Sequence, residues 1–250
     1  MRRKLGKYEL IRKLGRGATS TVYLARDAFA GRDVAIKVAT PEFLADPEKG
    51  GIYAKLFLNE ASLVGKLDHP HLVRIYDAVV AGDVCYIVME YVPGGTLDAH
   101  ARPGKLLPPA RVVELIFKCS RALDFAFRHG IIHRDIKPAN ILLAGTDIKI
   151  SDFGAAITGG GNARSVISGI GSPAYMSPEQ VQELPLDHRT DIYSLGVVMQ
   201  QLLTGELPYA ADSDARMVYQ ILHGTPVRPL AQRPDLPAVL DAIVARATAR

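Results

Sequence analysis

The stretch from Ile131 to Gly154, IIHRDIKPANILLAGTDIKISDFG, constrains this chain more than any other. It gathers Asp135, Lys137 and Asn140 within six residues of an HRDxxxxN run, and places Asp152, first of a DFG triplet, seventeen residues after Asp135. Passing a phosphoryl group leaves a protein little covalent chemistry. It needs an acceptor for a hydroxyl proton, cations to spread the charge, and carboxylate or amide oxygens to hold those cations. Each role has a candidate in this stretch.

At 250 residues the chain has room for one large domain or for two lobes sharing an interface. With 48% hydrophobic and 22% charged residues it reads as globular rather than disordered. The net charge of +4 is mild, Lys and Arg are scattered and Trp is absent, which argues against a nucleic-acid partner. Cys85 and Cys119 stand in apolar company without ligand-like spacing, as buried thiols of a reducing compartment do. The basic start, Met1-Arg2-Arg3-Lys4, runs into Gly6, Lys7 and Glu9 instead of an apolar core, and no uncharged apolar run approaches the roughly 18 residues of a membrane span. A soluble, cytoplasmic segment without membrane contact is expected.

From Tyr8 to Val92 short strands dominate: two alternating runs around a Gly/Ser/Thr turn, then RDVAIKVA, and later LVRIYDAVV and VCYIVMEYV around an Ala81-Gly82-Asp83 turn. Between them AKLFLNEASLVGKL (54–67) has helical spacing at Leu56, Leu63, Val64 and Leu67. Pro93-Gly94-Gly95 reads as a hinge-like break. Helices follow. PPARVVELIFKCSRALDFAFRHG opens on two prolines, shows Val112, Val113, Ile116, Phe117, Leu123 and Phe127 on one broad face, and closes at Gly130. TDIYSLGVVMQQLLTG stops at Gly205, and DARMVYQILHG and LPAVLDAIVARATAR follow, the last expected to reach the final residue. The expected fold is α+β: a small antiparallel-sheet lobe with one helix (8–92) and a larger, mainly helical lobe (93–250), together one domain over residues 1–250.

Gly15-Arg16-Gly17-Ala18-Thr19-Ser20-Thr21-Val22 is a turn whose glycines let backbone N–H groups approach phosphates closely, although a tight hairpin uses glycine for geometry alone. In the next strand, Val34-Ala35-Ile36-Lys37 sets one lysine in an apolar alternation, where a cation needs a partner. Glu60, on the apolar-faced helix, is the natural one. Taken together, LGRGATSTV, VAIK, Glu60 in LNEASLV, HRDIKPAN, DFG and SPE occur in the order found in the eukaryotic-type protein kinase family, which the chain resembles from about Tyr8 to near its end.

That resemblance implies ATP and Mg²⁺. Lys37 would hold the α- and β-phosphates with Glu60 orienting it, while Asn140 and Asp152 would hold Mg²⁺. Asp135 would align the substrate hydroxyl and accept its proton, and Lys137 would offset charge at the γ-phosphate. The phosphate loop would comprise Gly15 to Thr21. Leu14, Val22, Ala35 and Leu142 would surround the adenine, with Met89 behind it and Glu90 and Val92 offering backbone contacts. His133 would pack on the DFG phenylalanine, and Asp191 would support the HRD loop by accepting backbone N–H bonds. Lys137-Pro138 and the Gly171 to Tyr175 segment, with Ser172 near Asp135 and Lys137, are similar to kinases acting on serine and threonine. DIYSLG and SPEQ look bacterial. Protein substrates are the implied partners, and a homodimer through the small lobe is compatible with bacterial relatives. Arg134 implies control by phosphorylation of the activation segment, with Ser168 and then Ser165 as the candidate acceptors, against which stands the reading that both are solvated loop serines.

The chain also departs from the family pattern. Ser20 replaces the third loop glycine, which would put a Cβ at the loop tip. Ser177-Pro178-Glu179 replaces Ala-Pro-Glu, and the family's arginine partner for Glu179, usually in an Arg-Pro stretch of the final helices, does not occur before Arg250. An excerpt of a longer polypeptide, or a large lobe lacking its final helix, would follow. Two rivals to a protein kinase remain at this point: a nucleotide-binding scaffold that signals by shape, and a kinase for a small metabolite. The intact Lys37, Glu60, Asp135, Asn140 and Asp152 weigh against the first, and the Gly171 to Tyr175 platform against the second.

Overall fold

Alternation of apolar and polar side chains from Tyr8 to Ala39 asks for strands with one buried face, and in the structure, a computed structural model, those strands are antiparallel neighbours. It describes residues 4–17, 19–41, 57, 61–62, 65, 67–81, 84–153, 156–158 and 173–249. The chain divides into two units, Met1–Pro93 and Gly94–Arg250, one residue beyond the boundary expected from the Pro-Gly-Gly break.

The first unit is a six-stranded antiparallel sheet. β1 (Lys4–Leu5), β2 (Tyr8–Arg16), β3 (Ser20–Asp27), β4 (Arg32–Ala39), β5 (Ile75–Ala81) and β6 (Val84–Glu90) are ordered β1-β2-β3-β4-β6-β5. β1 extends the sheet before the expected start at Tyr8, pairing Leu5 with Tyr8. One face carries the core, in which Ala25, Val34, Ile36 and Val88 are fully buried beside Tyr8 and Tyr86. Of the helix expected over 54–67, Phe57, Ala61 and Ser62 are helical, and Gly65 N–H donates to the Ala61 carbonyl at 2.9 Å, one helical turn. Leu67, where the helix was expected to end, is buried but not helical; the rest of the expected helix lies outside the described residues, as does the Gly82-Asp83 turn.

The second unit is mainly helical. α1 (Pro109–Arg128), α2 (Pro178–Val181), α3 (Arg189–Thr204), α4 (Asp214–His223), α5 (Pro229–Gln232) and α6 (Ala238–Ala247) are joined by short strands and 3-10 turns. α1 starts on proline, as expected, but its buried stripe is Val112, Leu115, Cys119, Ala122, Leu123 and Ala126. Val113, Phe117 and Phe127 are exposed, a correction to the expected face. α3 is buried along most of its length and ends on Gly205, whose φ of 82° closes the helix. α4 is capped by the Ser213 side chain, which accepts the Arg216 N–H at 3.3 Å. α6 stops at Ala247 rather than running to the end, and its Asp241 pairs with Arg228, which precedes α5.

β7 (Ile131–Ile132) pairs with β10 (Ile157–Thr158), and β8 (Ile141–Ala144) with β9 (Asp147–Ile150). Gly94 belongs to this layer: a Cβ there would lie 2.1 Å from the Leu143 carbonyl oxygen, so glycine is required by close approach to β8. Gly95 then accepts the Leu143 N–H at 2.9 Å. Among the described residues no helix is long and apolar enough to cross a membrane. Cys85 and Cys119 are free and buried, as expected.

Candidate active site

The loop between β7 and β8 is anchored by its apolar members. Ile131, Ile132, Ile136 and Ile141 are buried, which turns the residues between them toward one another. Lys137 Nζ donates to both Asp135 carboxylate oxygens, at 3.0 and 2.8 Å. Asn140 Nδ2 donates to Asp135 Oδ2 at 2.9 Å and to its carbonyl at 2.8 Å. Three of the polar residues read from the sequence are thus one bonded cluster. The fourth is brought near through its neighbour: Ser151 N–H donates to the Asn140 carbonyl at 2.9 Å, one residue before Asp152.

His133 is fully buried and holds the loop from within. Its Nδ1 accepts the Asp135 N–H at 3.2 Å, so Nε2 carries the ring proton and donates to the Ser151 carbonyl at 3.1 Å. Its ring lies 4.3 Å from that of Phe153, as expected. Asp191, at the start of α3, accepts the His133 and Arg134 N–H groups, each at 2.8 Å. Burial pushes the Asp191 carboxyl up from its ordinary value, against the downward pull of those bonds and of the nearby positive charge. Arg134 has a φ of 69°, and its carbonyl accepts a bond from Gln180 Nε2 at 2.8 Å. Burial also lowers the Arg134 guanidinium from its ordinary value, and its Nε is buried without a hydrogen-bond partner among the described residues.

In the first unit, register decides which side chains share a face. Gly15 lies opposite Val22, Val22 opposite Lys37 and Lys37 opposite Ile87; Leu24 lies opposite Ala35 and Ala35 opposite Met89. Paired residues project to the same side of a sheet, and so do alternate ones. Val22, Ala35, Lys37 and Met89 therefore form one patch, on the face opposite Val34 and Ile36. Lys37 Nζ lies 5.7 Å from the centre of the Phe57 ring. Between β2 and β3, Gly17 N–H donates to the Ser20 carbonyl at 2.8 Å. Ser20 is not at the tip: it is the first residue of β3, buried and paired with Ala39.

Residues 8–238 match the protein kinase domain family model.

The chain belongs to the protein kinase family.

Bacterial kinases are among the relatives of this kinase domain. It is 41% identical to serine/threonine-protein kinase PknB of Mycobacterium tuberculosis, over 98% of this chain and 40% of that protein. It is 39% identical to PknB of Mycobacterium leprae over the same shares. It is 36% identical to a probable serine/threonine-protein kinase of Clostridium acetobutylicum, over 96% of this chain and 36% of that one. The kinase domain spans about 40% of the length of the first of these relatives.

Of the residues the sequence nominated, Ala18, Glu60, Ser165, Ser168, Gly171 and Ser172 lie outside the described residues. Leu14, on β2, is partly exposed, Glu90 ends β6, Val92 is buried beyond it, and Leu142 sits on β8 of the second unit, bridged to Thr96. Glu179 makes no ion pair among the described residues, although its charge is felt at Arg189. What the sequence reading missed in this kinase domain is Gln180. Its signal was present in Ser177-Pro178-Glu179-Gln180, the S-x-x-Q spacing of a capping box, and the structure forms that box.

Proposed function

We propose that this kinase domain transfers the γ-phosphoryl group of ATP, with Mg²⁺, to serine or threonine hydroxyls of proteins, and that its own activation segment is among the acceptors. The observation that carries the reading is the Asp135 carboxylate, bonded by Lys137 and Asn140 on a loop whose backbone His133 and Asp191 hold. Asp135 aligns the attacking hydroxyl and takes its proton, and Lys137 offsets negative charge as it develops on the transferred group. With both Nδ2 protons of Asn140 directed at Asp135, its Oδ1 is left for a cation. An amide oxygen and the exposed Asp152 carboxylate make an all-oxygen donor pair, which suits a hard ion such as Mg²⁺ that keeps further ligands from phosphate and water. Bound there, Mg²⁺ would neutralise charge on the phosphate oxygens.

Lys37 is assigned to the α- and β-phosphates, with Glu60 orienting it. Gly15 supports a phosphate loop: its φ is not positive and a Cβ there would meet no described atom within 4 Å, so neither strain nor packing calls for glycine. Close approach of a ligand does. The patch of Val22, Ala35 and Met89 supports an adenine site, to which Leu14, Glu90 and Val92 of the same unit are assigned. The same proposal gives the domain a cytoplasmic setting, protein substrates, and pairing of two copies through the small lobe.

Incubation with labelled ATP, Mg²⁺ and a generic protein acceptor tests the activity. Label is expected on serine or threonine, including Ser165 or Ser168 of the domain itself, and Asp135→Asn should lower the rate by about 10²–10⁴-fold. ATP binding without transfer would overturn the reading.

A further inference from the structure

We propose that Gln180 is a positioning residue for Asp135, acting through the peptide that joins Arg134 to Asp135. The Gln180 side-chain amide is used at both ends. Its Oε1 accepts the Ser177 N–H at 3.1 Å, closing the capping box of α2, while its Nε2 donates to the Arg134 carbonyl at 2.8 Å. Arg134 stands directly before Asp135 with a φ of 69°. Asp191 takes the Arg134 N–H, which fixes the peptide before Arg134 and leaves the one after it free to turn about ψ. The orientation of that second peptide decides where the Asp135 carboxylate points.

Two groups hold it. Its N–H reaches His133 Nδ1 at 3.2 Å, at the long end of the usual range, and its carbonyl takes the shorter bond from Gln180. α2 is itself anchored: Ser177 Oγ meets Thr190 Oγ1 of α3, and Ser194 Oγ donates to the Tyr175 carbonyl at 2.7 Å. A side chain from α2 thereby turns the placement of that helix into an orientation of Asp135, 45 residues earlier in the chain.

The effect on transfer rests on the kinase reading above, so the test has one arm that needs no transfer. Gln180→Glu keeps the oxygen that closes the capping box and replaces the donor with an oxygen facing the Arg134 carbonyl. Gln182→Glu, at an exposed position two residues on, adds the same charge and also removes an amide donor, from Nε2 to the Pro178 carbonyl at 3.0 Å, so it controls for charge and for a lost side-chain donor away from Arg134. Gln180→Glu should lower kcat for a protein acceptor by about ten- to a hundredfold, with KM for ATP nearly unchanged, as misplacement of a reacting group does. Gln182→Glu should match the parent. In the same proteins the Asp135 amide should exchange hydrogen faster in Gln180→Glu alone. Parental kcat or parental exchange at Asp135 in Gln180→Glu overturns the proposal. Should Gln180→Glu not fold, the unsubstituted protein decides: its Gln180 side-chain amide protons should exchange slowly, and exchange at the rate of a free glutamine overturns the proposal. Absence of transfer in the parent overturns the kinase reading, while hydrogen exchange still decides the role of Gln180.

Discussion

Arg134 and Asp152 both lie in the left-handed region, with φ of 69° and 65°, a conformation that costs a non-glycine residue about 1–3 kcal/mol. Such angles persist where the surroundings hold them, and at Arg134 the holders are Asp191 on the N–H and Gln180 on the carbonyl. Asp191→Asn leaves one acceptor oxygen where two N–H groups converge and turns an amino group toward the other. Stability should fall by about 2–3 kcal/mol, read from the urea midpoint, and an unchanged midpoint would refute this account. At this scale the sequence was legible where bonds are local: Asp135, Lys137 and Asn140 meet within a single loop, so their spacing named them. Ser20 shows the limit. Its place after Thr19 suggested a loop tip, but pairing with Ala39 draws it into β3, and strand pairing is settled by a distant partner.

The four-residue α2 is too short to stand on propensity, so its ends must be held. Ser177 does this twice, accepting the Gln180 N–H at 3.3 Å and meeting Thr190 of α3 in the buried interior. Ser177→Ala removes both and should cost about 1–2 kcal/mol, seen as a lower melting temperature; a cost within error would show that the cap is dispensable. The capping spacing was visible in the sequence, yet what the capped helix touches was not. α1 gives the same lesson in reverse. Its large apolar residues Val113, Phe117 and Phe127 suggested the buried face, whereas small Cys119, Ala122 and Ala126 face inward. Small side chains let helices approach closely, and Phe127 is instead stacked 4.2 Å from the ring of His188.

Each of the two units carries a tyrosine whose phenol is pushed up to about 12: Tyr8 by burial and then by Asp77 and Asp27, Tyr175 mainly by burial. The folded state keeps protons that the unfolded chain releases near the ordinary tyrosine value of 10.0. The share of stability that rests on these two tyrosines should therefore be full below pH 10 and fall as pH rises from there toward about 12, because the unfolded state binds fewer protons in that window; the buried Cys119 thiol, also raised from its ordinary value of 9.0, adds a fall that starts lower. Melting temperatures from pH 8 to 11 check this, and Tyr8→Phe with Tyr175→Phe should make the fall above pH 10 shallower; a double variant whose fall above pH 10 matches the parent's would contradict it. The succession of strands and then helices, and the motifs strung along them, were determined by the sequence alone, since alternation, helical spacing and loop residues act over a few neighbours. The support of the HRD loop by Asp191 was implied by the family resemblance, whereas only the tertiary structure decided which face of α1 is buried and that Gln180 also holds the Asp135 loop. Bonds from His133 and Arg134 to Asp191 and from Gln180 to Arg134 span 58, 57 and 46 residues, and a contact at such separation leaves no periodic trace for a sequence to display.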